Sequence, residues 1–209
     1  MAEYSMDDVK RILNKIAGEF ISAKARLTEI DSKLGDGDMG ISMEKGAVAV
    51  KKAVSDFDPK EKKISKLLLS CAAAFNNAAP STMGTLLSMG MMAVGKELAD
   101  NTQITEAEIA KLPGTLANAI AVRGKASVGD KTILDALVPY SISLQDTYEK
   151  TGDLRIALNQ ASLAAFEGME STKGIIAKTG RAKWIAERNM EYPDGGAVLC
   201  YLVAKSFIK

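Results

Sequence analysis

The sequence predicts an all-α fold, a single-domain bundle of about eight helices over residues 1–209. Apolar residues recur at helical spacing almost throughout the chain, as at Ile12, Ile16 and Phe20. Strand-like alternation of apolar and polar residues is scarce. The 209 residues are 47% hydrophobic and 25% charged, which is typical of a domain that buries a substantial core.

Start and stop signals place each helix in order. Ser5 lies three residues before Asp8, and Thr105 lies three residues before Glu108, which is the spacing of a capping box at a helix start. Pro139 falls inside the sixth helix and is expected to kink or shorten it. Breaks are expected at Asp58-Pro59, Gly124, Gly152 and Asp194-Gly195-Gly196. The predicted helices are 5–28, 41–56, 60–79, 83–100, 105–122, 130–151, 153–179 and 195–208.

The chain is close to electrically neutral, with 27 lysines and arginines against 26 aspartates and glutamates. A protein that binds nucleic acid or an anionic membrane surface carries a basic excess, so neither partner is expected. No apolar run approaches the roughly 20 residues that span a bilayer, and the first residues lack the basic and apolar regions of a signal peptide. We therefore expect a cytoplasmic protein.

Two residue types limit the chemistry. The cysteines, Cys71 and Cys200, lie among apolar residues of predicted helices and are expected to be small buried side chains. Histidine is absent from the sequence, which removes the commonest general base and the imidazole ligand of many metal sites. Any catalysis must therefore use carboxylates, metal ions, cations and backbone groups.

A cluster of acids and glycines interrupts the helical pattern at residues 31–40. It holds three carboxylates, Asp31, Asp36 and Asp38, together with three glycines. Neighbouring carboxylates repel each other unless a cation neutralises them, and glycines permit backbone turns that bring the acids together. Oxygen ligands without sulfur or imidazole favour magnesium, calcium or manganese over zinc. The segment predicts a site for a divalent metal, with magnesium shared between carboxylates and substrate phosphates.

The same segment formally matches two other motifs, and both fail. Gly35-x-Gly37-x-x-Gly40 has the spacing of a dinucleotide-binding fingerprint, but a helix precedes it where a strand is required. An EF-hand loop that starts at Asp31 would need oxygen ligands where Lys33 and Gly35 stand. A helix-capping aspartate followed by a solvated Asp-Gly turn remains open as the alternative to a metal site.

Two further regions combine charge with glycine. In residues 123–135, Gly129-Asp-Lys-Thr is similar to the end of a phosphate-binding loop, but Asp130 separates the glycine from the lysine and no strand precedes it. Asp130 is instead expected to cap the next helix. Gly180-Arg-Ala-Lys-Trp184 and Asp194-Gly-Gly-Ala197 offer an arginine and a helix start, both of which bind phosphate. A surface cation and a plain helix cap are the commoner interpretations of each feature alone.

Four blocks of sequence, taken together, carry a resemblance to a known family. The blocks are Leu34-Gly-Asp-Gly-Asp-Met-Gly40, Arg123-Gly-Lys-Ala-x-x-Gly-Asp-Lys-Thr-x-x-Asp135, Gly180-Arg-Ala-x-Trp-x-x-Glu-Arg188 and Asp194-Gly-Gly-Ala197. In order and spacing they resemble the nucleotide-binding L subunit of dihydroxyacetone kinases, over nearly the whole chain. The sequence departs from the family at Met39, where the family has histidine, and at Met83, which stands in the place of a phosphate-loop serine.

The resemblance implies an antiparallel barrel of about eight helices with the nucleotide at one end. It implies that Asp31, Asp36 and Asp38 are the catalytic metal ligands and hold two magnesium ions that bridge to the phosphates of ADP or ATP. The nucleotide contacts implied by the same matching are Met39, Gly40, Ile41 and Ser42 along the phosphates, Thr82 and Met83 beside them, Gly124 and Ile133 near the adenine, and Arg181, Asp194, Gly195 and Gly196 around the rest of the pocket.

The implied activity is transfer of the terminal phosphate to dihydroxyacetone or a related small ketose, which a partner K subunit holds through a histidine that this chain lacks. The separate length favours the arrangement in which an L subunit keeps ADP and receives phosphate from a third protein, the phosphocarrier M, over the fused ATP-dependent enzymes. The chain could also form a homodimer. A kinase subunit for another ketose or polyol, a regulatory nucleotide-binding module without turnover, and a purely structural bundle stay open as alternatives.

Overall fold

The computed structural model describes residues 2–178 and 190–208. Within these residues, nine α-helices and two short strands make up the regular structure, which confirms the predicted all-α fold. The helices are α1 (Met6–Ser22), α2 (Lys24–Leu34), α3 (Met39–Ser55), α4 (Ile64–Ala78), α5 (Thr82–Glu97), α6 (Glu106–Gly124), α7 (Leu134–Thr151), α8 (Leu154–Ser171) and α9 (Gly195–Ser206). The strands β1 (Glu3–Tyr4) and β2 (Ile104–Thr105) pair antiparallel. None of the described helices is long and apolar enough to cross a membrane.

Eight of the described helices close into a ring. Each helix from α3 to α8 packs against the helix that follows it, α9 packs against α1, and α1 packs against α3. The remaining helix, α2, packs against α3 and α9. Short connections between consecutive helices make neighbours antiparallel, so helix ends gather at the two ends of the barrel. The end where α3, α5, α7 and α9 begin carries the candidate site.

Aliphatic side chains fill the inside of the barrel. Leu27, Ile64 and Leu67 are fully buried, and Leu134 and Leu199 are nearly so. Burying one such side chain contributes about 1.5–3 kcal/mol to stability. Every element of the ring therefore depends on its neighbours for most of its stability.

The two cysteines belong to this core. Cys71 and Cys200 are both buried, as the sequence predicts, and neither forms a disulfide. Burial raises the pKa of the Cys71 thiol to about 11 and that of Cys200 to about 12. Both thiols are therefore protonated and unreactive at neutral pH.

Two capping boxes lie side by side at the other end of the barrel. The side chains of Ser5 and Asp8 cap α1 reciprocally, and those of Thr105 and Glu108 cap α6 in the same way, as predicted. Tyr4 pairs with Ile104 in the two-stranded sheet, so the two caps follow directly from paired strands. A capping side chain contributes about 1 kcal/mol.

The predicted first helix, 5–28, is wrong in one respect that matters for the site. It divides at Ala23 into α1 and α2, and α2 continues to Leu34. Leu27, Ile30 and Leu34 are buried at helical spacing, which carries the helix beyond the predicted end. As a result Asp31, which the sequence places in a loop, lies on the last turn of a helix.

Other helix ends also differ from their predictions. The predicted helix 153–179 ends at Ser171. Gly174 has φ of +77°, a conformation that interrupts a helix. Pro139 lies inside α7 without shortening it. Because proline has no N–H, the carbonyl of Asp135 lacks its helical donor, and Gly168 of α8 lies so close to that oxygen that a Cβ there would be 2.1 Å from it.

Candidate functional site

The three acids of residues 31–40 converge at one end of the barrel. Asp31 comes from the last turn of α2, and Asp36 and Asp38 come from the connection between α2 and α3. One carboxylate oxygen from each lies within 4.8 Å of the others. Asp31 is half-buried, whereas Asp36 and Asp38 are exposed. The cluster therefore lies at the surface with one acid fixed in the fold.

Backbone hydrogen bonds fix Asp31 in this cluster. Its carbonyl accepts from the Gly35 amide at 2.6 Å, and its Oδ2 accepts from the Met39 amide at the start of α3 at 3.0 Å. Gly37 has φ of +76°, which reverses the chain between Asp36 and Asp38. A Cβ on Gly35 would lie 2.7 Å from Asp31 Oδ1. The glycines thus leave room for the carboxylates to face one another.

This arrangement fits a hard divalent cation. Magnesium binds oxygen ligands at about 2.0–2.1 Å, so ligands on opposite sides of the ion are about 4.2 Å apart. Carboxylate oxygens within 4.8 Å of one another approach that geometry with small side-chain rotations. Because Asp36 and Asp38 are exposed, the metal would keep coordination positions for water or phosphate.

A pocket opens beside the acids, and four helices begin at it. Its lining includes the first residues, or the residue just before them, of α3, α5, α7 and α9. The first amides of a helix have no partner within their own helix and carry the positive end of its dipole. Such helix starts bind anions, and phosphate in particular. Acids that would hold cations and helix starts that attract anions therefore share one pocket.

The starts of α5 and α9 are ordered by their own caps. Ser81 Oγ accepts from the Gly84 amide at 3.1 Å, and Asp194 Oδ2 accepts from the Ala197 amide at 2.8 Å. At the start of α9, Gly195 lies against the Met39 sulfur, where a Cβ would be 2.8 Å away. The first residue of α9 therefore contacts the side chain of the first residue of α3 across the pocket.

The connection before α7 is organised by Asp135, and the predicted capping role of Asp130 is wrong. Asp135 is buried, and its carboxylate accepts from the amides of Gly129 at 2.6 Å and Thr132 at 2.7 Å. Asp130 instead accepts from the Ser127 amide at 2.8 Å. The helix begins only at Leu134, too far along the chain for Asp130 to reach its first amides.

Asp194, at the pocket wall, has a strongly raised pKa. Burial is the main cause of its raised pKa of about 7, and the nearby carboxylate of Asp135 adds a smaller raising effect. The Ala197 and Gly196 amides and the charge of Lys131 act in the opposite direction. Asp194 therefore changes its charge near neutral pH while it caps α9 at the pocket wall.

The structure gathers most of the predicted site residues around this pocket. Gly40, Ile41 and Ser42 lie on the first turn of α3 and do not line it, with Gly40 buried against α2 and Ile41 exposed. Arg181 lies outside the described residues. The predicted residues that line the pocket are Asp31, Asp36, Asp38, Met39, Thr82, Met83, Gly124, Ile133, Asp194, Gly195 and Gly196.

Sequence reasoning missed several residues that line the same pocket. Leu86 and Ile120 are apolar positions on α5 and α6 and cannot be told from core residues in a sequence. Lys131 and Thr132 stand in the Gly-Asp-Lys-Thr string, whose departure from a phosphate-binding loop hid their position at the pocket. That string, within the block of residues 123–135 that carries the family resemblance, was the signal available for them.

Comparison with known proteins relates this chain to one protein family. The family model of the DAK2 domain matches residues 33–209. L-erythrulose kinase from Pectobacterium atrosepticum is 30% identical over 91% of this chain, and the match covers 32% of that kinase. D-erythrulose kinase from Mycolicibacterium smegmatis is 30% identical over 99% of this chain and 37% of its own length. The chain thus spans about a third of these relatives.

One relative has a length similar to that of this chain, and a solved structure has the same fold. The ADP-binding subunit DhaL of the PEP-dependent dihydroxyacetone kinase from Escherichia coli is 28% identical over 86% of this chain and 85% of the subunit. The dihydroxyacetone kinase from C. freundii in complex with AMP-PNP and Mg2+ superposes with a TM-score of 0.73 at 21% identity, over 95% of this chain and 33% of that one. The family model covers most of the sequence, and the chain belongs to the DAK2 domain family.

Proposed function

We propose that this chain is the nucleotide-binding subunit or domain of a kinase that phosphorylates dihydroxyacetone or a related small ketose. The observation that carries the proposal is the convergence of Asp31, Asp36 and Asp38 beside a pocket at which four helices begin. The relatives support the reaction class, because they include erythrulose kinases and the ADP-binding subunit of a dihydroxyacetone kinase.

In this proposal the three acids hold two magnesium ions that bridge to the phosphates of ADP or ATP. Three carboxylates carry three negative charges against four positive charges on two ions, which leaves a net attraction for a diphosphate. The starts of α3, α5 and α9 line the same pocket and would face that anion. Phosphoryl transfer needs mainly positioning and charge neutralisation, so a chain without histidine can provide this half of the reaction.

The apolar part of the pocket is proposed to receive the adenine. Leu86, Ile120 and Ile133 line it, together with Gly124 at the end of α6. Small-molecule sites commonly combine such an apolar lining with a few polar groups that fix orientation. A Cβ on Gly124 would meet Leu86 at 3.6 Å, an ordinary contact, so this edge of the pocket has room for a small side chain.

The ketose is proposed to come from a K-type partner, since the exposed acids leave the phosphate end of the pocket open to a second protein. Phosphate would reach bound ADP from an M-type phosphocarrier, or from solution as ATP. A regulatory module that binds nucleotide without turnover is distinguished by its behaviour with partners. Normal ADP binding with no phosphate transfer to dihydroxyacetone or erythrulose would favour that alternative.

The test is calorimetric titration of nucleotide-free protein with ADP and with ATP, in magnesium and again in EDTA. Magnesium-dependent binding of ADP in preference to ATP supports a bound coenzyme that a phosphoprotein recharges. Preference for ATP supports direct use of ATP. Absence of binding by either nucleotide in magnesium contradicts the proposed function.

A further inference from the structure

Lys131 is a buried cation that the proposed chemistry does not use. It lies in the connection before α7, is only 2% exposed, and lines the pocket. Its backbone has φ of +61°, a left-handed conformation that a residue with a side chain seldom adopts. Such a conformation persists where the surrounding contacts demand it, and it is common at functional sites.

The side chain of Lys131 joins three segments of the chain. Its Nζ donates to the carbonyl of Thr172 at 2.8 Å, just after α8, and to the carbonyl of Tyr192 at 2.8 Å, just before α9. Burial lowers the pKa of Lys131, while the carboxylates of Asp194 and Asp135 act to raise it. The ammonium thus sits among backbone carbonyls at a helix C-terminus, where a positive charge is favoured.

Further bonds hold the same region, residues 190–194, against the rest of the barrel. The Asp194 amide donates to Thr172 Oγ1 at 2.9 Å, and the Gly174 amide donates to the Met190 carbonyl at 2.7 Å. The ring of Tyr192 lies 4.5 Å from the ammonium of Lys33, on the helix that carries Asp31. Residues 190–194 therefore bridge α8 and α2 before entering the pocket wall.

We propose that Lys131 is a positioning residue. It holds residues 190–194 against the start of α7 and the end of α8, as a latch, and so fixes the Asp194–Gly196 wall of the nucleotide pocket. The proposal rests on the proposed function for its effect on nucleotide, but the latch itself is a property of the protein alone. Thr172 is the second member of the latch, because it is fully buried and contacts both Lys131 and Asp194.

Lys131→Met keeps an unbranched side chain, one atom shorter, and removes its hydrogen-bond donors. In hydrogen exchange without nucleotide, peptides that cover residues 190–198 should exchange about 10-fold faster or more, while peptides of α3 and α4 keep their protection. In calorimetry the dissociation constant for Mg-ADP should rise by about 10-fold or more. Lys178→Met is the matched control, since Lys178 is an exposed cation paired with Asp130 and should change neither value by more than about 2-fold.

Thr172→Val tests the latch by a second route, which matters if Lys131→Met does not fold. It removes the hydroxyl that accepts from the Asp194 amide and keeps the carbonyl that accepts from Lys131. It should also accelerate exchange at residues 190–198, and exchange in the double variant should be no faster than in the more affected single variant, because the two bonds hold one segment as a unit. Unchanged exchange in both single variants, or additive losses in the double variant, overturns the latch. Failure of the wild-type protein to bind Mg-ADP would defeat the proposed function while leaving the exchange result to decide the latch.

Discussion

Gly40→Ala should disturb the cluster of acids, because Gly40 lies where α3 packs closely against α2. Gly40 lies on the first turn of α3, where a Cβ would come within 2.2 Å of the Lys24 carbonyl and 2.3 Å of Thr28 Oγ1 on α2. A carbon and a carbonyl oxygen approach to about 3.3 Å at closest. The two helices must therefore separate by about 1 Å at this point, next to Asp31 and the amide of Met39 that bonds it.

The expected cost follows from two opposing terms. Overpacking against backbone atoms costs about 3 kcal/mol, and replacing glycine by alanine in a helix contributes about 1 kcal/mol, so Gly40→Ala should lower the free energy of unfolding by about 2 kcal/mol. A shift of about 1 Å also breaks the bond from Met39 to Asp31 and misplaces the acids, so affinity for Mg-ADP should fall about 10-fold or more.

Urea unfolding followed by circular dichroism measures the first effect, and calorimetry with Mg-ADP measures the second. Gly18→Ala is the matched control, because a Cβ on Gly18 of α1 meets nothing within 4 Å. That change should stabilise the protein by about 0.5–1 kcal/mol and leave nucleotide affinity unchanged. If Gly40→Ala were as stable as Gly18→Ala and bound Mg-ADP normally, the α2–α3 crossing would not position the acids.

Three other predictions address separate parts of the molecule. Because the pKa of Asp194 is raised from 3.8 to about 7, the folded protein holds a proton that the unfolded chain releases between these pH values. The free energy of unfolding should therefore fall as pH rises from about 4 to 7, by at most about 1.4 kcal/mol per pH unit. Urea unfolding of Asp194→Asn should show a flatter dependence on pH, and parallel profiles for the variant and the wild type would contradict this. Thr105→Ala should lower the free energy of unfolding by about 1 kcal/mol without changing the affinity for Mg-ADP, because this cap lies at the other end of the barrel from the pocket. A loss of affinity in calorimetry would contradict this. Cys71 and Cys200 should react with Ellman's reagent at pH 8 only in urea, and rapid reaction of the native protein would show that they are not buried.

The sequence predicts most of the fold because periodicity and caps are local signals. Thr105 and Glu108 predict a helix start from a pattern of four residues, and α6 begins there in the structure. The division at Ala23 has no such signal, since neither glycine nor proline marks it and α2 begins without a capping side chain. Packing of α2 against α3 and α9 decides that break, and packing partners cannot be read from neighbouring residues.

For the site, the sequence identifies the acids but not the architecture that holds them. Asp31, Asp36 and Asp38 are conspicuous because neighbouring carboxylates repel one another and seldom cluster, and the structure brings their oxygens together. Lys131 is conspicuous only in three dimensions, where its ammonium reaches carbonyls 41 and 61 residues away in the chain. Contacts at such separation depend on how the ring of helices closes.

The most direct test of the account is the magnesium dependence of ADP binding in Asp36→Asn, measured by calorimetry beside the wild-type protein and Asp146→Asn. Asp146 is an exposed acid on α7 that does not line the pocket. The account predicts that Asp36→Asn weakens Mg-ADP binding by about 10-fold or more and that Asp146→Asn binds like the wild type. Wild-type affinity for Mg-ADP in Asp36→Asn would contradict the claim that the clustered acids hold the metal of a nucleotide site.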